Sequence, residues 1–354
     1  MGLFRRNVTA AALQGPTAQA SYAGGIVAGN NGKADRARAM RIPTISRGRD
    51  LLCSLAASLP IHYYLEQWTG EEMERIPLPP EAWMRRPEAR VVRAHTLAWT
   101  MDDLIFQGAA YWYITARRAF DNRPSQFQRL PASEVLVNAD YFIGNVPVGP
   151  YQLTWQGNIL PADDVVAFWS PIEALLNCAA RSLLTAEKLD QAATRFASSP
   201  TAFGWLTTSG GEPLSGDDLA ELAQTWADAR DTNGVAALNQ DVQWNESTMD
   251  PSRLQLVEGR QYQSLELARH INVPPYLVGA PTGSSMVYQN AEQARADLVT
   301  FGAAPFLDCI EQTLSSEQVT PRGHVVELSR DAWLRNPMDN NLPDPQNSPM
   351  EQPA

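Results

Sequence analysis

Ile172, Leu176, Ala179, Leu183, Ala186, Leu189, Ala193 and Phe196 recur every three or four positions, the period of one face of an α-helix. A helix with that stripe covers residues 170–196 and is about 40 Å long at ~1.5 Å per residue. One modest apolar seam on so long a rod cannot make a core alone. It has to lie against other helices, of its own chain or of another. Ser170-Pro171-Ile172-Glu173 opens the run with a capping box and a proline at the first helical position.

The chain changes character around this rod. Upstream, Ile45, Leu51, Leu52, Leu55 and Leu59 mark a helix over residues 44–58, closed by Pro60. Ile61 to Leu65 reads as a strand with a turn at Thr69-Gly70. A second helix over residues 92–107 ends at Gly108, and a strand follows over residues 110–115. Shorter strands are expected at 127–130, 135–138, 151–155 and 165–169, making an α+β layer with antiparallel strands.

Downstream, helices dominate. A strand at 203–207 leads to a helix capped by Ser215-Gly216-Asp217-Asp218, and short strands are expected at 234–238 and 242–244. Asp250-Pro251 starts a helix bearing Leu254, Val257, Leu265, Ala268 and Ile271, which Val273-Pro274-Pro275 stops by removing donors. After a loop over 279–287, Asn290 caps a last long helix with Gln293 in the capping-box position. Pro305 should kink this helix rather than end it, because Phe306, Leu307, Ile310 and Leu314 continue its apolar face.

Residues 1–40, rich in Gly, Ala, Asn and Ser, read as a flexible arm, and the proline-studded residues 336–354 as a disordered tail. No stretch approaches the roughly 18 apolar residues of a membrane span, so no membrane partner is expected. The formal net charge of −11 argues against a tight grip on nucleic acid, which needs a dense basic footprint. It leaves room for a protein that lets DNA slide past.

Catalytic motifs are sparse. With Lys33 and Lys188 the only lysines, no phosphate-cradling P-loop is present. His62, His95, His270 and His324 show no ligand spacing, so neither a metal nor a cofactor is expected. No Gly-x-Ser-x-Gly elbow marks a nucleophile, although a triad assembled from distant positions stays open. Cys53, Cys178 and Cys309 sit in apolar helical contexts and read as reduced, buried thiols of a protein of cytoplasmic origin.

The ordered set of segments resembles the portal proteins of tailed double-stranded DNA bacteriophages of the HK97-like type. The resemblance is carried by Leu51 to Pro60, by Gly108-Ala109-Ala110-Tyr111-Trp112, and by Asp163-Asp164-Val165-Val166 before Ser170-Pro171-Ile172. It rests above all on Ala268-Arg269-His270-Ile271-Asn272-Val273-Pro274-Pro275-Tyr276-Leu277-Val278-Gly279, followed by Tyr288-Gln289-Asn290-Ala291-Glu292-Gln293 and Pro305-Phe306-Leu307-Asp308-Cys309-Ile310-Glu311. An Asn usual in the family after the glycine at 108 is absent. The likeness covers about residues 42–335.

This resemblance implies an α+β ring subunit with an α/β wing (41–169), a two-helix stem (170–196 and 250–273) and a small α/β clip (197–249). A tunnel-loop region (274–289) and a long kinked channel helix with a short crown or wing end (290–335) would complete it. The implied assembly is a homo-oligomer, commonly of twelve, at a capsid vertex of the virion, assembled in the host cytoplasm. Its implied partners are non-specific duplex DNA, the large terminase, the major capsid protein and head–tail adaptor proteins.

On this reading Thr282, Gly283, Ser284, Ser285, Met286, Val287 and Tyr288 form the DNA-facing tunnel loop, with short hydroxyls for passing phosphate contacts and apolar groups that brush DNA without fixed charge pairs. Read from the residues alone, the same segment is a flexible surface loop. Asn290, Glu292, Arg295 and Pro305 belong to the channel helix. Glu292 and Asp297 suit the positive helix start as well as a channel lining, and Arg295 could face DNA or a neighbouring subunit. Asp217, Asp218, Glu221 and Asp228 make an acidic helix face, either solvated or docking a terminase motor. Two other classes stay open: a head-maturation hydrolase using a serine of the Gly283-Ser284-Ser285 loop, and a head adaptor that binds no DNA.

Overall fold

The computed structural model describes residues 35–198, 204–208, 215–231, 242–246, 256–280 and 295–334. The chain divides into two compact units, Met1–Ala180 with Leu267–Ala354, and Arg181–Glu266. The first unit begins with helices α1 (Arg36–Ala39) and α2 (Pro43–Ser58), strands β1 (Ile61–Trp68) and β2 (Met73–Pro77), and helices α3 (Ala82–Arg85) and α4 (Arg93–Gln107). Strands β3 (Ala109–Arg117), β4 (Pro124–Leu130), β5 (Val135–Ile143), β6 (Val146–Trp155), β7 (Asn158–Leu160) and β8 (Val165–Trp169) follow, then a single turn, α5 (Leu175–Cys178). The turn α1 lies inside the stretch read from sequence as an arm.

Helices α2 and α4 form where their apolar periods run, and each ends on a local signal. Gly108 closes α4 in the left-handed region at φ 72°, donating to Leu104 O at 3.1 Å. A side chain there would also collide with Asn145, whose atoms lie 2.6–2.7 Å from the position of its Cβ. The sheet β4-β3-β8 carries the aromatic heart of the unit. Trp112 and Phe168 are fully buried and Phe127 nearly so, and the Trp112 ring stands 5.1 Å from Phe168 and 5.4 Å from Phe127. Trp112 Nε1 donates to Thr100 Oγ1 at 2.8 Å, so the buried indole is paired as it joins β3 to α4.

Later elements return to this unit. Helix α9 (Ala304–Leu314) and strand β11 (His324–Leu328) precede the short helix α10 (Asp331–Leu334). β11 pairs with β1 in the sheet β11-β1-β2, with Tyr63 opposite Val326. An open strand edge invites unwanted pairing, and side chains of α9 and of Ser315 just after it cover this one. Ser315 Oγ accepts from Val326 N at 2.9 Å and Glu311 Oε1 from Leu328 N at 2.7 Å. On the other side, Cys309 Sγ donates to Trp169 O at 3.0 Å and Gln318 Nε2 to Val165 O at 3.0 Å. The α9 region thus fastens β8 and β11 by side chains alone.

The second unit holds α6 (Ala180–Ser198, whose first residue lies in the first unit), β9 (Gly204–Thr208), α7 (Gly216–Asp231), β10 (Val242–Glu246) and most of α8 (Leu256–His270). β9 and β10 are antiparallel, Leu206 opposite Trp244. α6 and α8 pack antiparallel: Gln263 Nε2 donates to Ser182 O at 3.1 Å, and Arg260 meets Asp190 at 2.8 Å. The paired-helix element expected from the apolar stripe is present.

Three expectations need correction. The helix does not begin at Ser170. Ser170 Oγ folds onto Ile172, accepting from its N–H at 3.1 Å and donating to its carbonyl at 2.8 Å. Asn145 Nδ2 takes Ser170 O at 3.2 Å and Ile172 O at 2.5 Å, the acceptors a first helical turn would need. Helix therefore starts at Leu175, breaks at Ala179 and resumes at Ala180. Cys178, beside that break, is exposed rather than buried. Cys53 fits the buried-thiol reading and Cys309 is only partly buried, burial pushing their pKa values to about 12 and about 11. Lastly, β2, β7 and β11 form where no strand was expected. The expected strand at 234–238 and the start of α8 at Asp250-Pro251 lie outside the described residues.

Candidate functional site

The segment that most resembles the family motif ends α8 and turns the chain. Asn272 adopts the left-handed conformation at φ 61°. Val273 N reaches Ala268 O at 3.0 Å and Asn272 N reaches Arg269 O at 3.1 Å, the two bonds of a Schellman stop. Pro274 and Pro275 then lead a 3-10 turn over Pro275–Val278, which Gly279 closes at φ 74°. This is one foot of residues 281–294, which lie outside the described residues.

The other foot is unusual. Residues 295–297 are α-helical, Leu298–Ala303 is a π-helix, and α9 continues from Ala304. Ala304 N donates to Val299 O, five residues back. Pro305 has no N–H, so the carbonyl four residues earlier, that of Phe301, loses its ordinary partner. Asn272 Nδ2 supplies one at 2.6 Å. The expected helix therefore does run through Pro305, by way of the inserted π turn.

Both feet pack on α2. A Cβ at Gly48 would lie 3.0 Å from Ile271 Cγ2, and one at Gly302 only 2.8 Å from Asn272 O and 3.5 Å from Leu52 Cδ2. Two glycines and one asparagine thus set how closely these segments approach. The Tyr276 hydroxyl is buried, and burial, with a smaller push from Asp297, raises its pKa. The Phe301 ring, by contrast, is largely exposed.

Among the sequence-derived candidates, Thr282, Gly283, Ser284, Ser285, Met286, Val287, Tyr288, Asn290 and Glu292 lie outside the described residues. Arg295 is exposed on the short α turn before the π segment. Asp217, Asp218, Glu221 and Asp228 are exposed on α7, and two of them have local duties. Asp218 forms a reciprocal cap with Ser215, accepting from its hydroxyl at 2.7 Å and its N–H at 3.2 Å while donating its own N–H to Ser215 Oγ at 3.3 Å. Asp228 accepts from Gln224 at 3.1 Å. Asn272, Gly48 and Gly302 were missed; an Asn directly after a helix and before a proline stop was the available signal.

A second assembly, unforeseen, lies within α4. Asp102, 1% exposed, receives Arg36 at 2.7 Å and Arg49 at 2.6 Å. The guanidinium carbons of Arg36, Arg49 and Arg129 stand 4.8, 5.0 and 5.4 Å from the Trp99 ring centroid. Neighbouring Asp103 pairs with Arg129 and accepts from Ala132 N. Burial pushes its carboxyl up to about 7, with the Asp102 charge adding and Arg129 opposing. Among the described residues, no three of His, Cys, Asp and Glu gather so as to hold a metal ion.

Comparison with known proteins places these features in context. The profile of the family described as phage portal protein matches residues 43–342. A probable portal protein of Streptomyces phage phiC31 is 28% identical over 102 residues, 28% of this chain and 22% of that protein's length. An HK97 family phage portal protein from Corynebacterium diphtheriae superposes with TM-score 0.68 at 25% identity, covering 85% of this chain and 97% of that one. A chain of the native gene transfer agent virion matches at TM-score 0.55 and 18% identity, over 84% and 85% of the two chains. One from the neck of that particle, computed with C12 symmetry, matches at 0.54 and 18%, over 85% of each.

Proposed function

The chain belongs to the phage portal protein family, and from that premise we propose how its parts divide the work of a ring at a capsid vertex. As a portal protein it forms a ring of its own copies at that vertex, between capsid and tail. The ring has twelve members, encloses duplex DNA without reading its sequence, and conducts it inward during packaging and outward during ejection. The large terminase, the major capsid protein and the head–tail adaptor proteins bind it in turn, and assembly takes place in the host cytoplasm. We read it as a structural subunit with no catalytic duty.

The observation that carries this reading is the tie between Asn272 and Phe301. It supports reading residues 282–288 as a loop between two fixed feet, while the packing of α6 on α8 supports reading them as a stem and residues 197–249 between them as a clip. Held at both feet, that loop can approach a passing polyanion while the rest of the subunit stays still. The exposed acids of α7 suit the clip face that meets the motor.

Negative-stain microscopy of the purified chain tests the reading. The expected particle is a ring with an axial hole and a mass of roughly 470 kDa, about twelve times the 39.0 kDa chain, as closed symmetry requires. A monodisperse monomer with esterase or peptidase turnover would overturn it in favour of a hydrolase. Oligomers lacking a central opening would point to an adaptor.

A further inference from the structure

Arg85, Arg86, Arg90 and Arg93 stand between the last residue of α3 and the first of α4. Among the described residues none of the four forms an ion pair, whereas Arg49, Arg75, Arg118, Arg129 and Arg330 are all matched to carboxylates. In a chain of net charge −11, unmatched arginines gathered in one short segment are a conspicuous local excess of positive charge.

The segment is held rigidly. Trp83 and Met84 are buried at 2% and 1% exposure, and Trp83 stands edge-on to Phe127 at 5.4 Å. Pro87 is buried and its carbonyl accepts from Phe127 N at 2.9 Å. Glu88, the only acid between Arg85 and Arg93, accepts from Thr96 Oγ1 at 2.7 Å. Arg85, Arg86 and Arg90 are exposed and Arg93 half-buried. The adjoining end of α4 deepens the positive potential, since it has no side-chain cap and no acid in its first turn. Such a helix start favours anions, yet the chain sets arginine there.

The chemistry favours a phosphate backbone over a protein surface. Protein interfaces concentrate their affinity in buried apolar or aromatic anchors, and the only large apolar side chain displayed here is Val92. Guanidinium groups bind phosphate oxygens in a forked geometry without needing such an anchor. We propose that Arg85, Arg86, Arg90 and Arg93 form a contact site for the phosphate backbone of duplex DNA, distinct from the 282–288 loop. The site draws on the portal reading only for the source of its DNA.

The test uses the full chain, with fluorescence anisotropy of a labelled duplex of about 30 base pairs measured across salt concentrations. Replacing all four arginines with glutamine should weaken binding at least tenfold at about 100 mM salt and lower the salt slope by roughly 3–4. Arg→Lys at all four positions should keep the salt slope, because lysine also neutralises phosphate, and should weaken binding less than the glutamine variant does, losing only the forked contacts. Equal binding and slope in the glutamine variant, with its melting temperature unchanged, would overturn the proposal. So would polyglutamate competing as well as DNA, which would assign the surface to an acidic protein. Mass photometry of the same samples reports ring formation separately, so loss of the portal reading and loss of this site give different results.

Discussion

The side-chain amide of Asn272 donates to the backbone carbonyl of Phe301 at 2.6 Å, and Phe301 is the residue whose helical partner Pro305 removes. The bond therefore repairs a defect that proline creates, and a coupling between positions 272 and 305 follows. Asn272→Gly keeps the left-handed backbone but leaves this exposed carbonyl to water, a loss of about 0.5–1.5 kcal/mol. Amide hydrogen exchange across residues 298–304 should then quicken by a few-fold to about tenfold. In a Pro305→Ala background the new N–H competes for the same carbonyl, so Asn272→Gly should cost less there. Equal costs in both backgrounds would show that the bond does not serve the proline.

Two glycines in helical segments should respond oppositely to alanine. At Gly302 the added methyl would sit 2.8 Å from the Asn272 carbonyl oxygen, a backbone atom that cannot swing aside. Overpacking of this kind costs about 1–3 kcal/mol. At Gly216, in the first turn of α7, nothing lies within 4 Å, and Gly→Ala should be neutral or stabilising by up to about 1 kcal/mol. Melting temperatures of the two variants check the pair.

Much of this fold was legible because its signals are local. The periods of α2 and α4, the glycine at 108 and the double proline after α8 act within a few residues, and the strands of the first half sit between clear punctuation. The failures came where a distant group decided the outcome. Ser170-Pro171 carries a strong helix start, yet Asn145 takes the carbonyls that start would use. β2 shows no alternation, exposing every residue, and β11 exists through its pairing with β1 near the other end of the chain. Asp102 and Asp103 drew no expectation from the sequence, and only their arginine partners explain how α4 buries them. The candidate site was legible as a motif around Asn272 and Pro305, but not as the bond from Asn272 to the Phe301 carbonyl.

Asp103 predicts a pH dependence of stability. Its carboxyl is raised from 3.8 to about 7, chiefly by burial. Between those values the folded protein holds a proton that the unfolded chain has released, so stability falls as pH rises through this window. The slope from this single group reaches at most ~1.4 kcal/mol per pH unit. Asp103→Asn removes it, and the margin of the unaltered chain over the variant should shrink steadily from about pH 4 to about pH 7. Parallel melting profiles for the two proteins would mean that Asp103 does not titrate in this range.

Deleting Thr282 to Val287 separates assembly from conduction. The feet of the segment are fixed independently of it: Asn272 and Val273 by their backbone bonds to α8, and Phe301 and Gly302 by Asn272 and by the contact with Leu52. A shortened connection between them should leave α2, α8 and α9 in place, with little entropic penalty for the smaller loop. Rings of unchanged mass are therefore expected, together with a fall in packaged genome per particle on the role proposed above for this loop. Particles filled to the normal level by this deletion would remove residues 282–288 from any part in moving DNA.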